Sequence, residues 1–252
     1  MDMLKRTRLH RFLCISGLLL ALILPACAST AVQSNSSHPR ARPQSTAGQS
    51  TPMPMPAGPV TYVALGASDA VGVGSNSPGS QGYVPLIAEH LPKGSHLINL
   101  GISGIRLHQA LSQELPLALT TSPNLVTMWL VANDFVGGVL YNDYMHDLNT
   151  LLRRLHTSTY ARIVIADLPD LTRLPAFANQ TPAQKAQMLQ AIQHWNKGIA
   201  QLVRQYNVVL LDLFLHGSEI TAHPEYISFD GFHPSALGYA QLAKYFWQAI
   251  KG

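Results

Sequence analysis

The chain has 252 residues, 47% of them hydrophobic and 12% charged, with a formal net charge of +4. From Pro59 onward there are 11 Lys plus Arg against 12 Asp plus Glu, a net of −1, so the basic excess sits before the body and no nucleic-acid surface is expected on it. Both cysteines, Cys14 and Cys27, fall in the first 28 residues, which leaves the body no internal disulfide and no thiolate for zinc or redox chemistry.

Residues 1–28 open with Lys5, Arg6, Arg8 and Arg11, continue through an apolar run from Phe12 to Leu24, and end in Pro25-Ala26-Cys27-Ala28. This is the layout of a secretory signal, and its apolar run is shorter than the roughly 20 residues that span a bilayer. "LPAC", Leu24 to Cys27, resembles the lipobox of bacterial lipoproteins, in which the cysteine is lipidated and becomes the mature N-terminus. A lone exported cysteine favours that reading of Cys27, with an ordinary cleavage site at Ala26-Cys27-Ala28 as the alternative. The expected location is therefore the outer face of the cell membrane, or the medium. Residues 29–58 are rich in Ser, Thr, Gln, Pro and Ala and lack aromatic residues, the composition of a flexible tether.

Residues 59–252 form one domain, expected to be monomeric, in which short apolar runs alternate with helical patterns. The runs Val60–Leu65, His96–Leu100, Leu125–Leu130, Arg162–Ala166 and Val208–Leu211 read as strands covered on both faces. Between them, Leu140, Tyr144, Leu148, Leu151 and Leu155 share one helical face, and Met188, Ile192, Trp195, Ile199, Leu202 and Tyr206 share another. Thr181-Pro182-Ala183-Gln184 opens the longer helix with a capping box and a proline at its first position. A last helix runs from Ser235 to Ile250. Five strands alternating with helices predict an α/β fold with a doubly wound parallel sheet.

In such a sheet, functional residues gather at the carboxyl ends of strands. Ser68 follows the first strand in "GASDA", Gly101 follows the second in "NLGISG", Asn133 follows the third in "VANDF", and Asp230 and His233 follow the fifth in "FDGFHPSALG". A serine hydroxyl is a weak nucleophile until a base takes its proton, and His233 suits that task. Asp230, three residues earlier in the same turn, is spaced to hold the imidazole tautomer. The backbone N–H groups of Ser68 and Gly101 and the side-chain amide of Asn133 would supply an oxyanion hole. Asp134 and Asp212 read as structural hydrogen-bond acceptors. "GASDA" lacks the closing glycine of a Gly-x-Ser-x-Gly elbow, and "GVGSNSPG" lacks the spacing of a dinucleotide loop.

Ser68, Gly101, Asn133 and the Asp230/His233 pair, in this order and on these elements, resemble the four blocks of the SGNH, or GDSL-type, hydrolases. The resemblance spans about Val60 to Ile250. It implies a three-layer, flavodoxin-like fold and esterase, lipase, thioesterase or carbohydrate-deacetylase activity with no metal or cofactor. Two positions depart from the family pattern: Ala67 stands where an acid is usual before the serine, and Val131 where a glycine is usual in the third block. The first departure bears on loop bracing, the second on the acyl pocket and the seat of Asn133.

The resulting reading is an exported serine esterase with a small-molecule, lipid or acylated-carbohydrate ester as substrate. Membrane contact would come only through the signal or lipid anchor. The segments from Thr172 to Gln180 and from Leu215 to Ser228 are placed to shape the acyl pocket. Carbohydrate O-deacetylation and a non-catalytic surface lipoprotein that keeps the fold are the alternatives.

Overall fold

A computed structural model describes residues 51–252. The signal segment, Cys27 and the tether up to residue 50 lie outside the described residues.

The elements in chain order are β1 (Thr61–Gly66), α1 (Ser68–Val71), α2 (Pro78–Gln81), α3 (Tyr83–Glu89), β2 (His96–Asn99), α4 (Leu107–Gln113), α5 (Leu115–Thr120), β3 (Leu125–Trp129), α6 (Ala132–Val136), α7 (Tyr141–Ser158), β4 (Arg162–Ala166), α8 (Pro182–Gln205), β5 (Val209–Leu211), α9 (Gly217–Ala222) and α10 (Ala236–Lys251). All five strands pair in parallel in the order β2-β1-β3-β4-β5. Helices α3 and α10 pack together on one face, and α4, α5, α7 and α8 pack on the other, which completes three layers.

The sheet forms because its central strands are apolar on both sides. Every residue of β3 and β4 is buried, and β1 is buried from Tyr62 to Gly66. Each Leu, Ile or Val side chain fully removed from water there contributes about 1.5–3 kcal/mol. The expectation of two covered faces fails for β2, three of whose four residues are exposed. It is an edge strand, paired only to β1.

The helices follow their apolar stripes. In α7, Tyr144, Leu148, Leu151 and Leu155 are buried, whereas Leu140 is 70% exposed because it precedes the first helical turn. In α8, Ile192, Trp195 and Ile199 are buried, and Met188, Leu202 and Tyr206 pack at the margin of the core. The capping box at its start is closed in both directions, with Gln184 N–H on Thr181 Oγ1 at 3.3 Å and Thr181 N–H on Gln184 Oε1 at 2.9 Å. Among the described residues no helix is long and apolar enough to cross a membrane.

The end of the sequence-predicted tether lies against the body. Arg162, the first residue of β4, donates from Nη1 to the Met53 carbonyl at 2.8 Å and from Nη2 to the Ala249 carbonyl at 3.1 Å. Met55 packs on the core.

The chain order reverses around β1: β2 lies to one side and β3 to the other. That is where an open parallel sheet presents a crevice beyond the carboxyl ends of its strands. Ser68 follows β1 and Asn133 follows β3, so the topology brings both to this crevice.

Candidate active site

Ser68 is the first residue of α1, immediately after the turn at Ala67, and only 6% of it is exposed. The first N–H groups of a helix have no acceptor within it, so the Ser68 N–H is not used by α1 itself. The serine Oγ lies 2.9 Å from His233 Nε2. On the other side of the ring, His233 Nδ1 lies 2.6 Å from Asp230 Oδ2. A carboxylate facing Nδ1 keeps the proton there, which leaves Nε2 free to accept the serine hydroxyl proton.

The turn that carries the pair is tightly held. Asp230 Oδ1 accepts from Ser228 Oγ at 2.8 Å and from the N–H groups of Phe232 and His233 at 2.8 and 2.9 Å. Ser228 N–H closes the loop onto the His233 carbonyl at 2.8 Å. Gly231 has φ +74, a conformation L side chains rarely adopt, and its carbonyl accepts from Ala176 N–H at 3.0 Å. That bond docks the segment after β4 onto the histidine turn. Burial opposes the Asp230 charge, but hydrogen bonds from His233, Phe232 and Ser228 outweigh it and hold the carboxyl well below the usual range. Phe232 stands edge-on to the imidazole, with ring centres 5.2 Å apart.

Asn133 lies in the first turn of α6, and its Nδ2 donates one hydrogen to the Ile105 carbonyl at 2.9 Å. A side-chain amide nitrogen carries two hydrogens, so this bond leaves one donor of Asn133 over. Val131 has φ −137, which a branched side chain adopts without left-handed strain, so its departure from glycine carries no such backbone cost.

Gly101 is not disposed as expected. Its N–H donates to Asn99 Oδ1 at 3.0 Å, and a Cβ at this position would sit 2.7 Å from Ala70 Cβ. The absent side chain serves packing against α1, and the donor is already engaged. The same loop carries a second glycine, Gly104, at φ +78 and in open space, next to the Ile105 carbonyl that Asn133 holds. The signal was present in "NLGISG", where two glycines stand three residues apart; spacing does not tell which N–H is free. Asp134 and Asp212 accept from the Leu107 and Leu215 N–H groups at 3.0 and 3.1 Å.

Two cavities flank this centre. One, of about 110 Å³, is overwhelmingly apolar and is walled by Trp129, Leu171, Leu174, Leu213, Ile220 and Ile227. Phe232 and Pro234, the neighbours of His233, border it, as does Asp69, the neighbour of Ser68. Burial pushes the Asp69 carboxyl up to about 6, with His233 acting in the opposite sense. The other cavity is a polar cleft beside Gly104, walled by Arg106, His108, Asp143, His146 and Asp147. Among the described residues no group of three or more His, Cys, Asp or Glu is arranged to hold a metal ion.

The serine within reach of a histidine thus lies beyond the carboxyl edge of a doubly wound parallel sheet, with the histidine and its carboxylate on one turn. The GDSL-like lipase/acylhydrolase family model matches residues 64–241, and the chain belongs to that family of ester-hydrolysing enzymes. Solved structures of the same fold include one described as TesA, 22% identical with a TM-score of 0.61, covering 76% of this chain and 98% of that one. The acetylxylan esterase Axe2 of Geobacillus stearothermophilus is 18% identical with a TM-score of 0.62, over 77% of this chain and 96% of that one. The psychrotrophic esterase EstA of Pseudoalteromonas sp. is 21% identical with a TM-score of 0.58, over 76% and 96%. No curated protein sequence matches the chain.

Proposed function

We propose that this enzyme is an exported serine esterase that cleaves carboxylic esters of apolar acyl groups through Ser68, His233 and Asp230. The observation that carries the reading is the unbroken chain of contacts from Ser68 Oγ to His233 Nε2 at 2.9 Å and from His233 Nδ1 to Asp230 Oδ2 at 2.6 Å. His233 takes the hydroxyl proton as Oγ attacks the ester carbonyl, and the oxyanion so formed meets the Ser68 N–H, the Asn133 amide and the Gly104 N–H. Collapse expels the alcohol, which receives its proton from His233, and leaves the acyl group on Ser68. Water then attacks with His233 again as base, and the carboxylic acid departs. Asp230 stays ionised throughout and stabilises the imidazolium.

The apolar cavity beside Asp69 and Phe232 supports an acyl chain as the group selected. Its walls come from the segments after β4 and after β5, Leu171, Leu174, Ile220 and Ile227 among them. The polar cleft beside Gly104 favours a second reading, deacetylation of a hydroxyl-rich alcohol, in which the cleft holds the alcohol side. Export and lipidation at Cys27 rest on the N-terminal sequence alone.

The test is hydrolysis of p-nitrophenyl esters from acetate to decanoate by the full chain and by Ser68→Ala. Turnover that peaks beyond acetate in the wild type and vanishes in the variant is expected. A profile confined to acetate moves the assignment to deacetylation. If both proteins are inert and a fluorophosphonate leaves Ser68 unlabelled, the nucleophile assignment falls.

A further inference from the structure

Glu114, between α4 and α5, is completely buried, yet among the described residues no cation pairs with it: its carboxyl accepts from a backbone N–H. Its Oε2 accepts from the Gly66 N–H at 3.1 Å, two residues before Ser68. The Ile102 N–H donates to the Gly66 carbonyl at 3.0 Å and lies near enough to the carboxyl to favour its charged form. The side chain therefore holds the end of β1 at Gly66, the residue whose carbonyl ties the loop that carries Gly101 and Gly104. Neither loop is otherwise rich in side-chain ties: Asn99 bridges them through the Ala70 carbonyl at 2.6 Å and the Gly101 N–H at 3.0 Å, and the Ala67 side chain has no polar atom to contribute. Among the described residues the second carboxyl oxygen, Oε1, has no hydrogen-bond partner, and neither does the buried Tyr83 hydroxyl close to Gly66.

Burying a carboxyl costs free energy, and the Gly66 N–H offsets only part of that cost because Oε1 is left over. We propose that Glu114 is a positioning residue for the nucleophile: from the α4–α5 junction it supplies the acidic brace that alanine at 67 cannot, and locks the Ser68 turn against the loop carrying Gly104. The proposal rests on the assignment of Ser68 as nucleophile. Burial pushes the carboxyl up to about 8, with the Gly66 and Ile102 N–H groups acting the other way. At neutral pH the brace is thus mostly uncharged, and it does not oppose the negative charge that develops on the substrate oxygen.

Three variants separate this role from general support. Glu114→Gln keeps the reach and an acceptor oxygen. Glu114→Asp keeps the acid but withdraws it by one methylene, and Glu114→Leu removes the acceptor at similar volume. The readouts are kcat per active site, counted by fluorophosphonate titration of Ser68, together with KM and the rate of fluorophosphonate labelling. Glu114→Gln is expected to stay near wild type. Glu114→Asp and Glu114→Leu should lose kcat and labelling rate on the order of 100-fold with KM little changed, the scale set by small displacements of a reacting group. Should Glu114→Leu fail to fold, the Asp and Gln pair carries the comparison. Retention of kcat in Glu114→Asp, or an equal loss in Glu114→Gln, would overturn the brace while leaving the nucleophile assignment intact. A wild type that neither turns over nor labels would overturn both.

Discussion

Asp230 grips His233 twice: Oδ2 lies 2.6 Å from Nδ1 of the ring, and Oδ1 accepts the backbone N–H of the same residue at 2.9 Å. The carboxylate thus sets both the tautomer of the imidazole and the path of the chain that carries it. In Asp230→Asn one oxygen survives to cap the turn, but the amide presents a donor to Nδ1 and turns the proton toward Nε2. The expected result is a loss of kcat of about 10⁴-fold with little change in melting temperature. A kcat within tenfold of wild type would remove Asp230 from the mechanism.

Asn133 is tied by one amide hydrogen to Ile105, and the oxyanion role proposed for it uses the other. Truncation to alanine should lower kcat by about 100- to 1000-fold, the usual range for one oxyanion donor, with KM nearly unchanged. Steady-state kinetics on the best ester decide this. A rise in KM alone would mean that Asn133 binds substrate and does not stabilise the oxyanion.

Gly74 backs the histidine from below. It sits at φ +101, and a Cβ there would collide with the Pro234 carbonyl oxygen and come within 3.0 Å of His233 Cβ. Gly74→Ala should cost about 1–3 kcal/mol in urea unfolding and reduce kcat as the histidine turn is pushed outward. Gly79, which has nothing within 4 Å of the equivalent position, is the control, and Gly79→Ala should leave kcat unaltered. Equal behaviour of the two variants would contradict the packing argument.

Burial raises four acids: Asp69 and Asp134 to about 6, Asp167 to about 7 and Glu114 to about 8. Unfolded, each would release its proton near its ordinary value of 3.8 or 4.5. Between those values the native state holds protons that the unfolded chain has lost, so stability falls as pH rises from about 4 to 8 and levels off above that. Each group contributes a slope of up to about 1.4 kcal/mol per pH unit while it is in its window. Asp230 acts the other way: its lowered value gives stability that is present above its ordinary 3.8 and lost as the solution becomes more acidic. Urea midpoints should therefore be higher at pH 5 than at pH 8.5, and Glu114→Gln should flatten the upper part of that decline. A midpoint that rises across the interval would refute the ordering.

The residues that the sequence disclosed best are those whose neighbours lie close along the chain. Arg162–Ala166 coincides with β4 because a run of Ile, Val and Ala between helices has few other solutions. The Asp230-x-x-His233 turn was legible for the same reason: its geometry is local. Gly101 was legible as a required glycine, but its purpose depends on Ala70 and Asn99, which only the fold brings to it. Glu114 left no trace, because an acid in an amphipathic stretch reads as a solvated face until the junction of α4 and α5 is seen to turn it inward. The apolar cavity was legible only in part: Leu174, Ile220 and Ile227 lie in the segments Thr172 to Gln180 and Leu215 to Ser228 singled out from the sequence, whereas Trp129 of β3 and the α10 residues reach it only through the fold.

Arg162 holds the Met53 carbonyl at the starting edge of β4, while Ser68 and Asn133 lie beyond the finishing edges of β1 and β3. The strands between are five or six residues long, about 20 Å at the rise of an extended chain. The polypeptide therefore enters the body on the side remote from the crevice. A label or surface attached at Thr51 would sit on that far side and leave the crevice open to substrate.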